Sequence, residues 1–275
     1  MKTYDNLYEK IINTENIEKA IKNAVRGKKR KHNKCFQEAK IDASPYVDKC
    51  IEYIKTYKPF EHRAKEIYDG ISRKKRIIVV PSFYEQAMHH AIIQVMKPIF
   101  MKGMYDHSYA SIPDRGTHKG KAIIEKWIKR YKNTKYIFKM DIKKFFDSID
   151  HNILKAKFRR ILRDDRLYNL ICGIIDTTEK GLPLGFYTSQ WFANWYLQEL
   201  DHRIKHFMYS PHYIRYMDDI VIFGDNKRKL HKTHLEIEAF LKSLNLEIKS
   251  NWQVFRFDKR PLDFMGFKFF ATAPL

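Results

Sequence analysis

Asp218 and Asp219 sit side by side in YIRYMDDIVIF (213–223), a stretch otherwise made of strand-favouring residues. A third aspartate, Asp141, lies near the end of the strand-like run YIFKMDIKKFF (136–146). A buried carboxylate costs several kcal/mol unless something pairs with it, and neighbouring carboxylates also repel. If a hairpin of 213–217 and 220–223 lies beside 136–146, all three converge on one sheet edge. Oxygen-only ligands of this kind suit Mg²⁺, which takes a few carboxylates plus substrate phosphates. Two such ions ~3.5–4 Å apart serve in-line displacement at phosphorus. The alternative is a polar β-turn, since Asp is common in turns. The strand-end Asp141 and the charge of the whole chain favour the metal reading.

The elements that must position these residues are mixed. Helical spacing runs through the beginning of the chain, with a basic segment, RGKKRKHNKCFQEAK (26–40), that is either a solvated helix face or a phosphate-contacting patch. That helical region ends near Pro59. RKKRIIVVP (73–81) reads as a basic turn and short strand, and SFYEQAMHHAIIQVMKPIF (82–100) as a helix stopping near Pro98. The loop and helix of 107–131 precede the first acidic strand, and Asp150 is placed to cap the helix after it. The loop EKGLPLGFYTSQ (179–190) opens a long amphipathic helix through Trp195, Leu200, Ile204 and Phe207. Leu235, Phe240, Leu241 and Leu244 mark another helix, and LDFMGFKFF (262–270) a final strand pair. Strands separated by helices predict a mixed α/β or α+β domain.

The composition agrees with a nucleic-acid partner. Lys and Arg number 53 against 32 Asp and Glu, a net charge of +21, in a chain of 275 residues with 44% hydrophobic and 15% aromatic residues. Such an excess favours a polyanion, nucleic acid before anionic membrane. No apolar run approaches the ~20 residues of a membrane span, and the N-terminus has no signal-peptide core. Cys35, Cys50 and Cys172 are far apart and form no CxxC pair, which fits a reducing cytoplasm.

In residues 136–147 and 213–223 the chain resembles the reverse transcriptases, with YMDD (216–219) the most specific signature. The similarity runs in family order from about residue 73 to 270. It implies an α+β right-hand polymerase: a basic helical extension (1–60), fingers (61–135) and a palm (136–275) with an antiparallel sheet like that of RNA-recognition domains. By resemblance, Asp141, Asp218 and the Ile142 carbonyl hold two Mg²⁺ ions, for which Mn²⁺ could substitute, and Asp219 supports the site. Lys249 falls where the family carries a lysine that protonates departing pyrophosphate. Phe146 would exclude a ribose 2′-hydroxyl, selecting dNTPs by clash. A core role suits Phe145 or Phe146 but not both, since adjacent strand residues face opposite sides. Lys74 and Arg76 match the fingers strand that meets the triphosphate, and Arg115 a segment contacting template. A P-loop is a poor rival there, because Gly116 to Gly120-Lys121 is one residue too short. Phe264, Met265 and Gly266 fall in the hairpin that grips the primer.

LGFYTSQ (184–190) narrows the resemblance. Most reverse transcriptases have Gln-Gly at its start and Ser-Pro at its end; Leu184-Gly185 and Ser189-Gln190 are similar to the enzymes of diversity-generating retroelements, which copy a template RNA into error-prone cDNA. Gly185 permits close backbone approach to a base or sugar, and Leu184 removes a hydrogen-bonding group near the forming pair, lowering discrimination. Gly185, Ser189 and Gln190 would border the nascent pair. Rivals are a retron, abortive-infection or group II intron enzyme, a catalytically silent RNA-binding palm protein, and a two-metal nuclease, which leaves Phe146 and the basic strand unexplained. The family's helical thumb has no counterpart in the closing FFATAPL. Either the chain is truncated, or another subunit, for which the family's small basic accessory protein is the natural candidate, or the RNA holds the duplex; target cutting and template removal would be supplied elsewhere. The protein alone is expected to show low processivity; extension of a primer by hundreds of nucleotides per binding event would refute this.

Overall fold

The computed structural model describes residues 2–27, 34–68, 75–130, 134–208 and 212–271. Four helices come first: α1 (Leu7–Ile11), α2 (Thr14–Val25), α3 (Lys34–Ile41) and α4 (Val47–Lys55). A hairpin of β1 (Ala64–Tyr68) and β2 (Lys75–Val79) leads to α5 (Phe83–Met101) and α6 (Thr117–Arg130). Next are β3 (Tyr136–Asp141), α7 (Phe145–Ser148), α8 (His151–Ile161) and α9 (Asp165–Ile175). They are followed by α10 (Tyr187–Tyr196), α11 (Gln198–His202), β4 (Tyr213–Tyr216) and β5 (Asp219–Gly224). The chain continues through α12 (Lys227–Ser243), β6 (Gln253–Arg256), β7 (Leu262–Phe264) and β8 (Phe267–Phe269). It divides into two compact units, Met1–Lys102 with Asp150–Phe192, and Gly103–Ile149 with Ala193–Leu275.

The first unit is helical around α2 and α5. Ile17, Ala20, Ile21 and Ala24 of α2 and Ala87, Ala91 and Ile92 of α5 are all fully buried, and small residues let the two backbones approach. Asn16 stitches them, donating to the Ala91 carbonyl at 3.2 Å. Ser82 and Glu85 form a capping box at the start of α5. The same Glu85 carboxylate meets His62 Nε2 at 2.7 Å, tying the approach to β1 onto α5. Asp150 caps α8 as its position predicts, accepting from the Ile153 amide at 3.0 Å.

The second unit holds an antiparallel sheet ordered β4–β5–β3–β6. Alternation along the strands gives it two buried faces. Ile137, Val221 and Phe223 pack with Ile124 and Trp127 of α6 and with Phe264 and Phe269 of the β7–β8 hairpin. On the other face Phe138 meets His234 of α12, whose ring stacks on Trp252 at 3.8 Å.

Several boundaries depart from the sequence reading. The strand read over 136–146 ends at Asp141, because Lys144 adopts a left-handed φ of 45° and a helical turn begins at Phe145. Helix α5 passes through Pro98, close enough to its end that little of the ladder is lost. The long helix through Phe207 is broken after Tyr196 and finishes as a π-type turn, Arg203–Phe207. Leu235 is exposed, and Thr233, His234 and Ile237 hold the inner face of α12 instead.

His89 in α5 is fully buried with neither ring nitrogen hydrogen-bonded, its ring 4.5 Å from Phe186. Burial, with like charge from His90 and His62 behind it, pushes its pKa down to about 3. The unfolded chain takes up this proton near pH 6.5, so the stability contributed by neutral His89 is complete above that value and lost as pH falls toward 3. His89→Met is expected to lose about 2 kcal/mol less stability than the native chain between pH 7 and pH 5, measured by denaturant unfolding at both.

Candidate active site

The three aspartates meet in the second unit through strand register. Asp141 is directly opposite Asp219 in the β3–β5 ladder, and Tyr216 opposite Asp219 closes the β4–β5 hairpin, leaving Met217 and Asp218 as its two-residue turn. The Asp218 carbonyl accepts from the Ile142 amide at 3.3 Å, drawing the turn onto the end of β3. On the sheet face that carries Val221 and Phe223, Asp141 and Asp219 stand in line with Lys139. Lys139 Nζ donates to the Asp263 carbonyl at 2.6 Å, fastening the β7–β8 hairpin to that same face.

Lys249 is the positive charge beside the cluster. Its amide donates to the Asp141 carbonyl at 2.9 Å and its Nζ forms an ion pair with Asp141 Oδ1. Asp219 is pushed up to about 7, chiefly by burial and then by the charges of Asp141 and Asp218, with Lys139 and Lys249 opposing. Three oxygen donors at adjacent positions, with Asp219 raised by burial and then by its neighbours' charges, suit a divalent cation, whose charge would oppose that shift. Among the described residues no group of three or more His, Cys, Asp or Glu side chains is itself placed to hold a metal ion. An open set of carboxylates is what Mg²⁺ shared with substrate phosphates needs.

Beneath the turn is a feature that the motif reading missed. Arg215, fully buried in β4, pairs with the equally buried Asp201 of α11 and donates to the Met217 carbonyl. The signal was present: an arginine within an apolar strand and an aspartate at the apolar spacing of Leu197, Leu200 and Ile204. Phe145 and Phe146 also divide, though not by strand alternation. On the helical turn α7, Phe145 is buried and Phe146 half-exposed.

The hairpin residues expected at the primer divide as well. Phe264 is core, buried in one cluster with Trp127 and Phe223, which leaves only the turn of the hairpin open to a primer. There Met265 (φ 54°) and Gly266 (φ 81°) are both left-handed, the backbone a tight two-residue hairpin needs. The Arg115 guanidinium, expected on template, donates through Nη1 to the Tyr105 and Ser108 carbonyls at 2.5 and 3.0 Å and so braces its own loop.

The remaining predicted residues belong to the first unit. Lys74 lies outside the described residues. Arg76 is exposed on β2, opposite Ile67. The Leu184 carbonyl accepts from the Val79 amide at 2.6 Å, and a Cβ at Gly185 (φ +113°) would stand 2.1 Å from the Val79 carbonyl. The close approach that requires glycine here is to β2 itself. Gln190 lines a recess of about 310 Å³ with Gln86, His90, Gly185, Phe186 and Tyr187. Ser189 is 1% exposed and does not line it, so its part is in packing rather than direct contact.

Residues 63–269 match the family described as Reverse transcriptase (RNA-dependent DNA polymerase). The chain belongs to this family. The group II intron-encoded protein LtrA of Lactococcus lactis is 28% identical to this reverse transcriptase-family chain over 167 residues, 56% of this chain and 27% of LtrA. The retron Ec73 reverse transcriptase of Escherichia coli is 28% identical over 177 residues, 59% of this chain and 54% of that protein. The match therefore spans about a quarter of one relative and about half of the other. Apo telomerase from Candida tropicalis, truncated from its C-terminal domain, superposes with a TM-score of 0.59 at 14% identity over 88% of this chain and 61% of that one. The fold is thus the α+β polymerase fold of palm and fingers.

The Leu184–Val79 bond uses backbone alone, whereas Gly185 is held by space. Gly185→Ala is expected to accelerate hydrogen exchange of the Val79 amide and cost about 1–3 kcal/mol, while Leu184→Gln leaves that exchange unchanged.

Proposed function

We propose that this protein is an RNA-directed DNA polymerase making error-prone cDNA from a template RNA, as in a diversity-generating retroelement. The observation that carries the polymerase is the Asp141–Asp219 register with the Asp218 turn beside it, in a chain of the reverse transcriptase family. The primer 3′-hydroxyl attacks the α-phosphate of a dNTP and pyrophosphate leaves. Asp141 and Asp218, with the Ile142 carbonyl, would hold Mg²⁺, or Mn²⁺ in its place. Bound there, two such ions activate the attacking oxygen and stabilise the leaving one. Asp219 supports their site, and Lys249, already against Asp141, is placed to give a proton to the departing pyrophosphate. Lys74 and Arg76 neutralise the triphosphate, and half-exposed Phe146 screens the sugar. Gln190 and Gly185 border the recess where the nascent pair is read, with Leu184 withdrawing a polar constraint on that pair.

The retroelement assignment rests on Leu184-Gly185 and Ser189-Gln190. A second reading, a retron or group II intron type of enzyme, is favoured by the relatives found. Either enzyme would act in the cytoplasm of a bacterial or phage-infected cell, on template RNA and cDNA primer, the first with a small basic accessory protein.

Primer extension on a defined RNA template with dNTPs and Mg²⁺, every product sequenced, separates these readings. Errors concentrated opposite template adenines are expected; accurate cDNA would move the protein to the retron or intron branch. Asp218→Ala/Asp219→Ala is expected to abolish synthesis while RNA binding survives. Failure of the unaltered chain to make DNA, with accessory protein supplied, would favour a silent RNA-binding palm.

A further inference from the structure

Arg215 and Asp201 are a charged pair wholly removed from water. The guanidinium grips both carboxylate oxygens, Nε to Oδ1 at 2.7 Å and Nη2 to Oδ2 at 2.6 Å. Nη1 donates to Asn194 Oδ1 and to the Met217 carbonyl, each at 3.0 Å, and Nη2 reaches the Asn194 carbonyl at 3.5 Å. Every guanidinium hydrogen therefore has an acceptor. Around this pair, the Tyr213 hydroxyl donates to Asp201 Oδ1 at 2.6 Å and Asn194 Nδ2 to the Ala110 carbonyl at 2.9 Å.

Stability does not explain such a pair, since apolar residues of similar volume hold a core as well or better. What they could not supply is the bond to Met217. That residue has φ 58° at the first position of a two-residue turn, a conformation that glycine adopts freely and methionine does not. The residue after it is Asp218, whose carbonyl must meet the Ile142 amide for its side chain to stand beside Asp141. Arg215 thus holds the carbonyl immediately before the catalytic aspartate. Asp201 in turn neutralises Arg215, so the guanidinium does not become a counter-ion to the carboxylates it supports.

We propose that Arg215 and Asp201 are positioning residues for the metal-binding aspartates: through the Met217 carbonyl they fix the strained turn that presents Asp218 beside Asp141. This rests on the polymerase reading. The test compares the full chain with Arg215→Met/Asp201→Leu, which removes both charges and keeps apolar volume, at temperatures where circular dichroism shows both folded. The expected result is a kcat for dNTP incorporation about 100-fold lower with KM for dNTP little changed. Mn²⁺, read from the paramagnetic resonance of the free ion in the presence of dNTP, should bind about 10- to 100-fold more weakly. Arg215→Lys, which keeps the charge without the fork, should not restore either value, and it is read in the same way if the double variant fails to fold. Native kcat and native Mn²⁺ affinity in a folded variant would overturn the proposal. A native chain that makes no DNA refutes the polymerase reading instead, and the Mn²⁺ titration alone then decides the role of the pair.

Discussion

Two aspartates face each other across an antiparallel ladder, Asp141 on β3 and Asp219 on β5, and like charges at directly opposed positions destabilise a sheet. Much of the second unit is arranged around that repulsion. Lys249 enters on a segment whose amide is bonded to the Asp141 backbone, so its ammonium arrives at a fixed place. Lys139 contributes positive charge from two residues upstream on the same face. Burial, and after it the residual repulsion, raise the pKa of Asp219. A cation bound at these carboxylates would relieve what folding leaves unfavourable.

The apolar parts of the unit make the tolerance possible. The sheet is covered on both faces, by α12 on one and by α6 with the β7–β8 hairpin on the other. The acidic end of the ladder is therefore attached to a rigid slab rather than to a loop, and rigid support is what precise placement of ligands demands. The hairpin's buried Phe264 and Phe269 belong to this support as much as its turn belongs to the surface.

The sequence was most legible where chemistry and periodicity coincide. YMDD, the strand-end Asp141, the Asp150 cap and the final strand pair all carry local signals that tertiary packing had no reason to override. Strand β1 was missed because AKEIY is exposed along its whole length and shows no alternation. The extent of the β3 strand was misjudged because Lys144, an ordinary residue, takes a conformation that its type does not announce. Arg215 was hidden for another reason. The positive charge nearest to Asp218 and Asp219 in sequence belongs to Asp201, a partner on a different element that only the fold brings within reach. At Gly185 the neighbour that closes in, Val79, lies far away in the chain, which no local pattern announces.

That last contact separates two adjacent positions by how freely they can vary. At 185 any side chain collides with the Val79 carbonyl, so the position is closed to change. At 184 the fold uses only a carbonyl, which every amino acid possesses, and the half-buried side chain is left as a free variable. A lineage could therefore exchange residue 184 in a single mutational step while strand β2 stays where it is. Residue 184 is thus adjustable where residue 185 is locked.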